Sequence, residues 1–320
     1  MSAKLWMGFI LRRLGASTAV VLILSFGIFG LLYIAPGSIV LTLLGTRPAS
    51  RQTIAAVRAE YHLNEPFFLQ YLHWLDNAVH GNLGTSIQSG GRVLPSIAAR
   101  FPLTLEVVLY GSIIAVGAGI PLGIWAALRR GRGTDQVITA GAVAAVGAPS
   151  FAVGLLLLLV FAVDFNWFPV YGTGQGFFST IWHLTLPALA LGLASMGLIV
   201  RFTRAAMARE LSQDYIVFAQ ARGLSRMQVT SYALRNSLVP VLTASGLILT
   251  STLSATVMVE TTFALPGLGT LLVNSVTFKD VPVVQAVALL LTLLITVINL
   301  LVDVTYALAD PRILFTRQGE

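Results

Sequence analysis

The chain carries thirteen carboxylates, four histidines, two lysines and no cysteine, and their spacing excludes most chemistry. Neither lysine, Lys4 or Lys279, follows a glycine, so no phosphate-binding loop of the G-x-x-x-x-G-K-[ST] type can be built. His62, His73 and His80 lack the close sequence pairing of a helical zinc motif, and His183 stands alone. They read as exposed or interfacial histidines, and no metal site is expected. Without cysteine there is neither thiolate chemistry nor a disulfide framework. The glycine alternation of Y-G-T-G-Q-G (Tyr171–Gly176) follows an apolar helix rather than a strand, so it reads as a flexible loop rather than a nucleotide fingerprint. No catalytic residue is expected.

What remains is a polar, arginine-bearing stretch, residues 214–240, between two uncharged apolar runs. Tyr215, Phe218, Ala219 and Ala221 sit on a short helix that breaks at Gly223, and Ser225 can cap a second helix continuing through Met227 and Val229. One reading is an amphipathic helix lying on lipid. The other is docking into a protein groove, favoured by the small residues Ala219 and Ala221 and by few large residues to insert. A second unusual stretch follows the fifth apolar run. Phe263, Leu265 and Leu268 are apolar, yet Pro266, Gly267 and Gly269 stop a continuing helix. Such backbone at a membrane edge is tolerated only where protein or a water-filled cavity covers it. The segment is expected to fold back as an outer gate or a seat for a partner, a simple turn being the alternative.

These stretches must be carried by a membrane scaffold. Hydrophobic residues make up 56% of the chain and charged ones 10%, with mean hydropathy +0.83. Six runs lack Asp, Glu, Lys, Arg and His: Leu14–Ala35, Val107–Leu128, Val137–Val163, Leu184–Val200, Ser237–Val259 and Val281–Val302. About 20 apolar residues suffice to cross some 30 Å of hydrocarbon as a helix, and only Leu184–Val200 must borrow from its flanks. Leu14–Ala35 is too long for a signal-peptide core and is expected to be retained. With six spans, fourteen basic residues fall on the side of both termini, among them Arg12, Arg13, Arg129, Arg130, Arg132 and the six arginines between Arg201 and Arg235. Only Arg47, Arg51, Arg58, Arg92, Arg100 and Lys279 fall opposite. Both termini are therefore expected in the cytoplasm, and the net charge of +7 reflects topology rather than nucleic-acid binding.

Residues 36–100 form an insertion on the other side, with helices expected over Ser50–His62 and Glu65–His80 and turns at Gly81–Ser86. It should pack as a small helical cap. Arg100–Thr104 leads into the second span, and Arg129–Gly133 makes a tight inner turn. The acids nearest the spans are Glu106, Asp135, Glu260 and Asp303, all at or near span ends. Glu106 and Glu260 are read as interfacial, paired with Arg100 or Lys279, or lining a wet outer vestibule; Asp303 as paired with an inner arginine. No acid at a bilayer midplane speaks for ion coupling.

Motifs along nearly the whole chain resemble one family. They are I-L-R-R-L (Ile10–Leu14), A-P-G (Ala35–Gly37), Q-Y-L-x-W-L (Gln70–Leu75), G-x-L-G-T-S (Gly81–Ser86), P-x-T-L-E (Pro102–Glu106) and G-I-P-L-G (Gly119–Gly123). Further on come A-P-S-F (Ala148–Phe151), H-L-T-L-P-A-L (His183–Leu189), D-Y-x-x-x-A-x-A-x-G-L-S (Asp214–Ser225) and L-R-N-S-L-x-P-V (Leu234–Val241). V-E-T-T-F-A-L-P-G-L-G (Val259–Gly269) and L-L-V-D-V-x-Y-A-L-x-D-P-R (Leu300–Arg312) complete the set. In these the chain resembles the first-type permease subunit of the peptide/nickel (dipeptide/oligopeptide) ABC importers.

The resemblance implies an all-α polytopic protein of the type I importer permease fold with six transmembrane helices. It divides the chain into 1–100 (first helix plus extracytoplasmic insertion), a core over 101–308, and a cytoplasmic tail over 309–320. It implies a homologous second permease, two ABC ATPases holding ATP and Mg, an extracytoplasmic binding protein, surrounding lipid, and the inner membrane of a prokaryote. This chain itself would bind no cofactor and no nucleic acid. It makes Asp214, Tyr215, Ala219, Ala221, Arg222, Gly223, Leu224 and Ser225 the ATPase-coupling loop. Glu260, Phe263, Leu265, Pro266, Gly267 and Gly269 become the outer gate. Two departures stand out: the glutamate of the general E-A-A docking motif is absent, and Gln220 falls where the peptide branch usually has arginine. An ion-coupled secondary carrier is the alternative function, and a structural assembly factor a third. Dipeptides, longer peptides, nickel chelates and glutathione share this architecture, so the substrate is left open.

Overall fold

The computed structural model describes residues 3–34, 38–44 and 50–309. The A-P-G motif at 35–37, Arg47 and the tail from residue 310, with Arg312 and Arg317, lie outside them. The described residues are almost wholly helical: α1 (Ala3–Ile34), α2 (Ile39–Leu44), α3 (Arg51–Glu60), α4 (Phe67–Val79), α5 (Val93–Leu128) and α6 (Gly133–Gly147). These are followed by α7 (Ser150–Leu157, running on as a π-helix over Leu158–Asp164), α8 (Phe177–Leu211), α9 (Asp214–Ala221), α10 (Arg226–Thr262), α11 (Leu268–Thr277) and α12 (Val281–Ala309). Helices α1, α5, α8, α10 and α12 each contain a stretch long and apolar enough to cross a membrane. An all-α polytopic membrane protein is what the apolar runs require, because helices satisfy every backbone group within the segment.

The third expected span departs from that plan. Val137–Val163 is not one helix: α6 and the helix from Ser150 to Asp164 are bent by 107° at a short break. The cause is local. Pro149 disfavours the helical region for Ala148, which adopts φ −91°, ψ 125° and ends α6. Each arm is 15 residues, about 22 Å at 1.5 Å per residue, so neither alone crosses the hydrocarbon. The other spans start earlier or end later than the charge-free runs. Arg100–Thr104 lies inside α5 rather than before it, and α8 and α10 are 35 and 37 residues long. The polar stretch between the fourth and fifth runs is therefore mostly helix extending beyond the apolar zone, with only residues 212–225 set between α8 and α10.

The described residues divide into two compact units, those of 3–9, 105–265 and 298–309 forming the first and those of 10–34, 38–44, 50–104 and 266–297 the second. In the first, α8 is the central helix, with 61% of its most apolar stretch buried. Its neighbours come close because small residues face one another. A methyl group on Gly192 would lie 2.6 Å from the Gly111 carbonyl oxygen of α5, and one on Gly197 would lie 2.5 Å from the Ala142 carbonyl of α6. Close backbone approach of this kind supplies the van der Waals packing that holds helices together in lipid. Buried Ser195 and Thr252 hydroxyls, 3.1 Å apart, join α8 to α10.

One charged contact anchors the inner turn. Arg204 of α8 donates from Nε and Nη2 to the two oxygens of Asp135 at 2.5 and 2.7 Å, and Asp135 also accepts the Gly131 N–H at 3.0 Å. The carboxylate thus clamps the R-R-G-R-G turn onto α8. Asp135 is 3% exposed, so removing its charge strands a guanidinium beside a buried site. Asp135→Asn is expected to lower the detergent melting temperature by roughly 5 °C or more. A melt unchanged from the parent protein would assign the pair no structural weight.

The second unit is built on α1, α4 and the start of α5. Phe26, Phe29 and Tyr33 of α1 meet Phe67, Tyr71 and Trp74 of α4 with ring centroids 4.7–5.8 Å apart. The α3 helix is capped by Ser50, whose hydroxyl accepts the Thr53 N–H, and Val57 buries with Leu32, Leu43 and Leu44. Asp280, 1% exposed, accepts hydrogen bonds from the Ser86 hydroxyl and from the N–H groups of Ile87 and Gln88 at 2.5, 3.0 and 3.2 Å. The insertion is thus a packed helical layer, tied to residues nearly 200 positions away in sequence.

Candidate functional site

The stretch from Leu211 to Val229 folds as a helix–turn–helix whose ends are set by local capping. Asp214 opens α9, where a negative charge suits the helix N-terminus. At the other end Gly223 adopts φ +79°, a left-handed conformation that costs other residues energy. Its N–H bonds to the Gln220 carbonyl at 2.9 Å, while the Leu224 N–H reaches back to the Ala219 carbonyl at 3.2 Å. This pair of bonds is the Schellman arrangement that ends a helix. Ser225 then starts α10 with a capping box: its hydroxyl accepts the Gln228 N–H, and the Gln228 side chain accepts the Ser225 N–H. Leu224, Ala219 and Val229 share one apolar cluster, so Leu224 serves both caps at once. The A-x-A-x-G-L-S motif is, in physical terms, two helix caps back to back.

The anchor of this turn is a residue the sequence reading passed over. Ile216 is 1% exposed and packs with Met207 of α8, Ala127 of α5, and Val229 and Ala233 of α10. The i, i+3 relation of Ile216 to Ala219 was the available signal. Tyr215 provides a polar tie: its hydroxyl donates to Glu210 Oε2 at 2.7 Å and accepts from Asn236 Nδ2 at 2.8 Å. Burial, with Glu210 alongside, pushes its phenol above the ordinary value of 10.

The opposite face corrects the expectation that few large residues are free to insert. Val217, Phe218 and Met227 are 58%, 69% and 85% exposed. Ala221, Arg222 and Arg226 are exposed beside them in the chain. Large apolar side chains and arginines are thus exposed on both helices of a doubly capped turn. Of the eight expected coupling residues, Ala219, Gly223, Leu224 and Ser225 shape the turn and Tyr215 braces it. Asp214, Ala221 and Arg222 lie at the exposed surface.

The outer stretch is also locally determined. α10 ends at Thr262, and Ala264 takes φ +48°. The Leu265 N–H closes back onto the Glu260 carbonyl at 2.8 Å. Phe263 and Leu265 are 4% and 1% exposed. Gly154 of α7 makes room for the Phe263 ring, since a methyl group there would sit 3.0 Å from it. After Pro266 and Gly267 the chain enters α11, where Leu268 is fully buried against Val93, Ile97, Val283 and Val287, and Gly269 is buried next to it. The Leu268 N–H donates to the Thr104 hydroxyl at 2.8 Å. Glu260 is fully buried, so in this conformation it lines no open vestibule. Glu106, by contrast, is exposed.

The histidines differ most from expectation. Eleven positions apart in sequence, His62 and His73 stack with ring centroids 4.2 Å apart and bracket Glu65.

Comparison with known proteins agrees with this architecture. Residues 119–315 match the family model described as binding-protein-dependent transport system inner membrane component, and residues 6–108 match the model of its N-terminal region. The chain is 35% identical over 332 residues to the dipeptide transport system permease protein DppB of Escherichia coli K12, covering 95% of this chain and 98% of that one. It is 38% identical over 309 residues to the glutathione transport system permease protein GsiC of Salmonella typhi, covering 96% and 99%. It is 36% identical over 309 residues to the probable peptide ABC transporter permease protein y4tP of Sinorhizobium fredii, covering 95% and 98%. A multi-pass helical chain with matches over nearly its full length to permeases of this kind belongs to the binding-protein-dependent transport system inner membrane component family, the membrane-embedded permease subunits of ABC importers.

Proposed function

We propose that this chain forms one half of the translocation pathway of an ATP-driven importer of peptides, of the dipeptide or oligopeptide class. It pairs with a homologous permease, and two separate ATPases drive it because no phosphate-binding loop can be drawn from its own residues. A binding protein on the outer face delivers the substrate. The membrane is the inner membrane of a prokaryote, with both termini cytoplasmic on the sorting of basic residues. ATP and Mg reside on the ATPases.

The observation that carries this reading is the exposed Val217–Phe218–Met227 surface on a doubly capped turn. A short rigid helix offering apolar side chains suits insertion into a groove of a soluble partner. Closure of the ATPases would move α9, and the rigid joint through Ile216 and Tyr215 would pass that movement to α8 and α10. With Gln220 exposed and the E-A-A glutamate absent, contact rests on these apolar side chains and the flanking Arg222 and Arg226.

Phe218→Asp puts a charge among these exposed side chains without touching the buried side of α9. The variant is expected to insert and melt like the parent, and to lose at least about 90% of the ATPase recovered on co-purification, because an unpaired charge in a desolvated contact costs several kcal/mol. Full ATPase recovery would remove the docking role. Transport that survives a Walker-site mutation in the ATPase would instead favour ion coupling.

A further inference from the structure

The two stacked histidines and the glutamate between them have no part in the coupling loop or the outer gate. His62 lies in the turn after α3, Glu65 immediately before Pro66 at the start of α4, and His73 two turns further along α4. Glu65 Oε1 is 3.1 Å from His62 Nδ1, and Oε2 is 3.0 Å from His73 Nε2. The ligand atoms of all three residues lie within 4.8 Å of one another.

An ion pair alone does not account for this geometry. The rings are nearly parallel, 16° apart at 4.2 Å, so two imidazolium charges would repel across a contact distance. Glu65 Oε2 is buried and has no hydrogen-bond partner, although His73 Nε2 is 3.0 Å away, because that approach lacks hydrogen-bond geometry. A nitrogen and an oxygen that crowd without a shared proton are placed as two atoms converging on a third centre. In a tetrahedral site with metal–ligand bonds of about 2.0–2.1 Å, neighbouring ligand atoms lie about 3.3 Å apart. With one ligand atom from each residue, the three lie within 4.8 Å of one another, so small side-chain rotations bring them to that edge.

From this geometry we propose that His62, Glu65 and His73 form a binding site for a divalent transition-metal cation of the zinc class. Two imidazole nitrogens and one carboxylate oxygen suit such ions and disfavour calcium or magnesium, which take oxygen sets. The site is braced before any metal arrives. The Glu65 carbonyl accepts from Gln70 Nε2 at 2.7 Å, its N–H donates to the His62 carbonyl at 3.0 Å, and His62 is held at φ +54°. Side-chain exposures of 40%, 36% and 48% leave the remaining coordination position to water. A cavity of about 150 Å³, lined by His62, His73, Gln70 and Asn77 among others, gives that water room. Bound metal would staple the α3–α4 turn, fixing α3 against α4 within the insertion.

The test uses the full-length protein, purified in detergent through a tag without histidine and stripped with EDTA. The lack of cysteine removes thiolate background. Zinc is expected to bind at one equivalent per chain and to raise the melting temperature reversibly. His62→Gln and His73→Gln should each weaken zinc binding by at least roughly 100-fold in chelator competition. His80→Gln, whose ring is 73% exposed beside Asp76, should bind like the parent. Sub-stoichiometric zinc on the parent protein, no zinc-dependent rise in its melting temperature, or unchanged affinity in the His62→Gln/His73→Gln double variant each overturns the proposal. The parent measurements decide the question even where a variant misfolds.

Discussion

Replacing Gly223 with proline is expected to abolish ATP-driven uptake while the protein still inserts, assembles its spans and reaches normal amounts. The backbone there sits at φ +79°, and proline holds φ near −65°. Proline also removes the N–H that bonds to the Gln220 carbonyl. Losing this bond and the conformation dismantles the Schellman turn, and with it the position of Leu224 between two helix caps. The surface carrying Phe218 then no longer stands in fixed relation to α8 and α10. Nothing lies within 4 Å of the place where a side chain at 223 would begin, so crowding is not the issue. Gly223→Ala should therefore cost only the left-handed strain, about 1–2 kcal/mol, and retain partial transport. Gly223→Asn should approach the parent, because asparagine tolerates that conformation. Gly223→Asp should fall between proline and alanine, its added charge facing the partner. Uptake and ATP hydrolysis measured together in proteoliposomes distinguish uncoupling from failed assembly, since uncoupling leaves hydrolysis running without transport. Normal import by the proline variant would show that this turn carries no coupling.

How much of this could be read beforehand follows from which interactions are local. The apolar runs announced helices because backbone satisfaction in lipid leaves little choice. Gly223 and Ser225 announced their caps because capping is decided within about six residues. The bend at Ala148 was equally local, but a long run without charged residues over Val137–Val163 concealed it: hydropathy counts length and ignores what Pro149 does to its neighbour. Ile216 was missed for a different reason. On an eight-residue helix most positions are apolar, and only contacts with Met207, Ala127 and Val229, which are distant in sequence, distinguish the buried face from the exposed one. The pairing of His62 with His73 depends on α4 folding back along the turn after α3, so sequence spacing alone argued against it. Glu260 read as a vestibule residue because it sits at the end of a charge-free run; its complete burial is a tertiary fact.

The outer stretch carries the second large expectation. Leu265 and Leu268 are 1% and 0% exposed, so cysteines placed there, in a chain without any other, should resist an impermeant thiol reagent in the conformation described. Residues 263–267 are non-helical, and backbone of that kind at a membrane edge is stable only while protein or a water-filled cavity covers it. If the stretch gates the pathway, trapping the ATPases with ATP must change its cover, and labelling should rise at least roughly tenfold at one position or both. The two positions report separately, because Leu265 belongs to the first compact unit and Leu268 to the second. A rise at 265 alone would mean that the end of α10 loosens around Phe263 and Gly154. A rise at 268 alone would mean that α11 leaves its seat beside Val93, Ile97 and Val287. Each leucine-to-cysteine change removes buried apolar volume and costs about 2 kcal/mol or more, so protein amount and melting temperature must be matched before labelling is compared. Val276→Cys, at a position 57% exposed on α11, checks the reagent's access to that helix. Labelling that stays low at both buried positions throughout the ATP cycle, while Val276→Cys labels normally, would make the stretch a fixed turn and move the gate elsewhere.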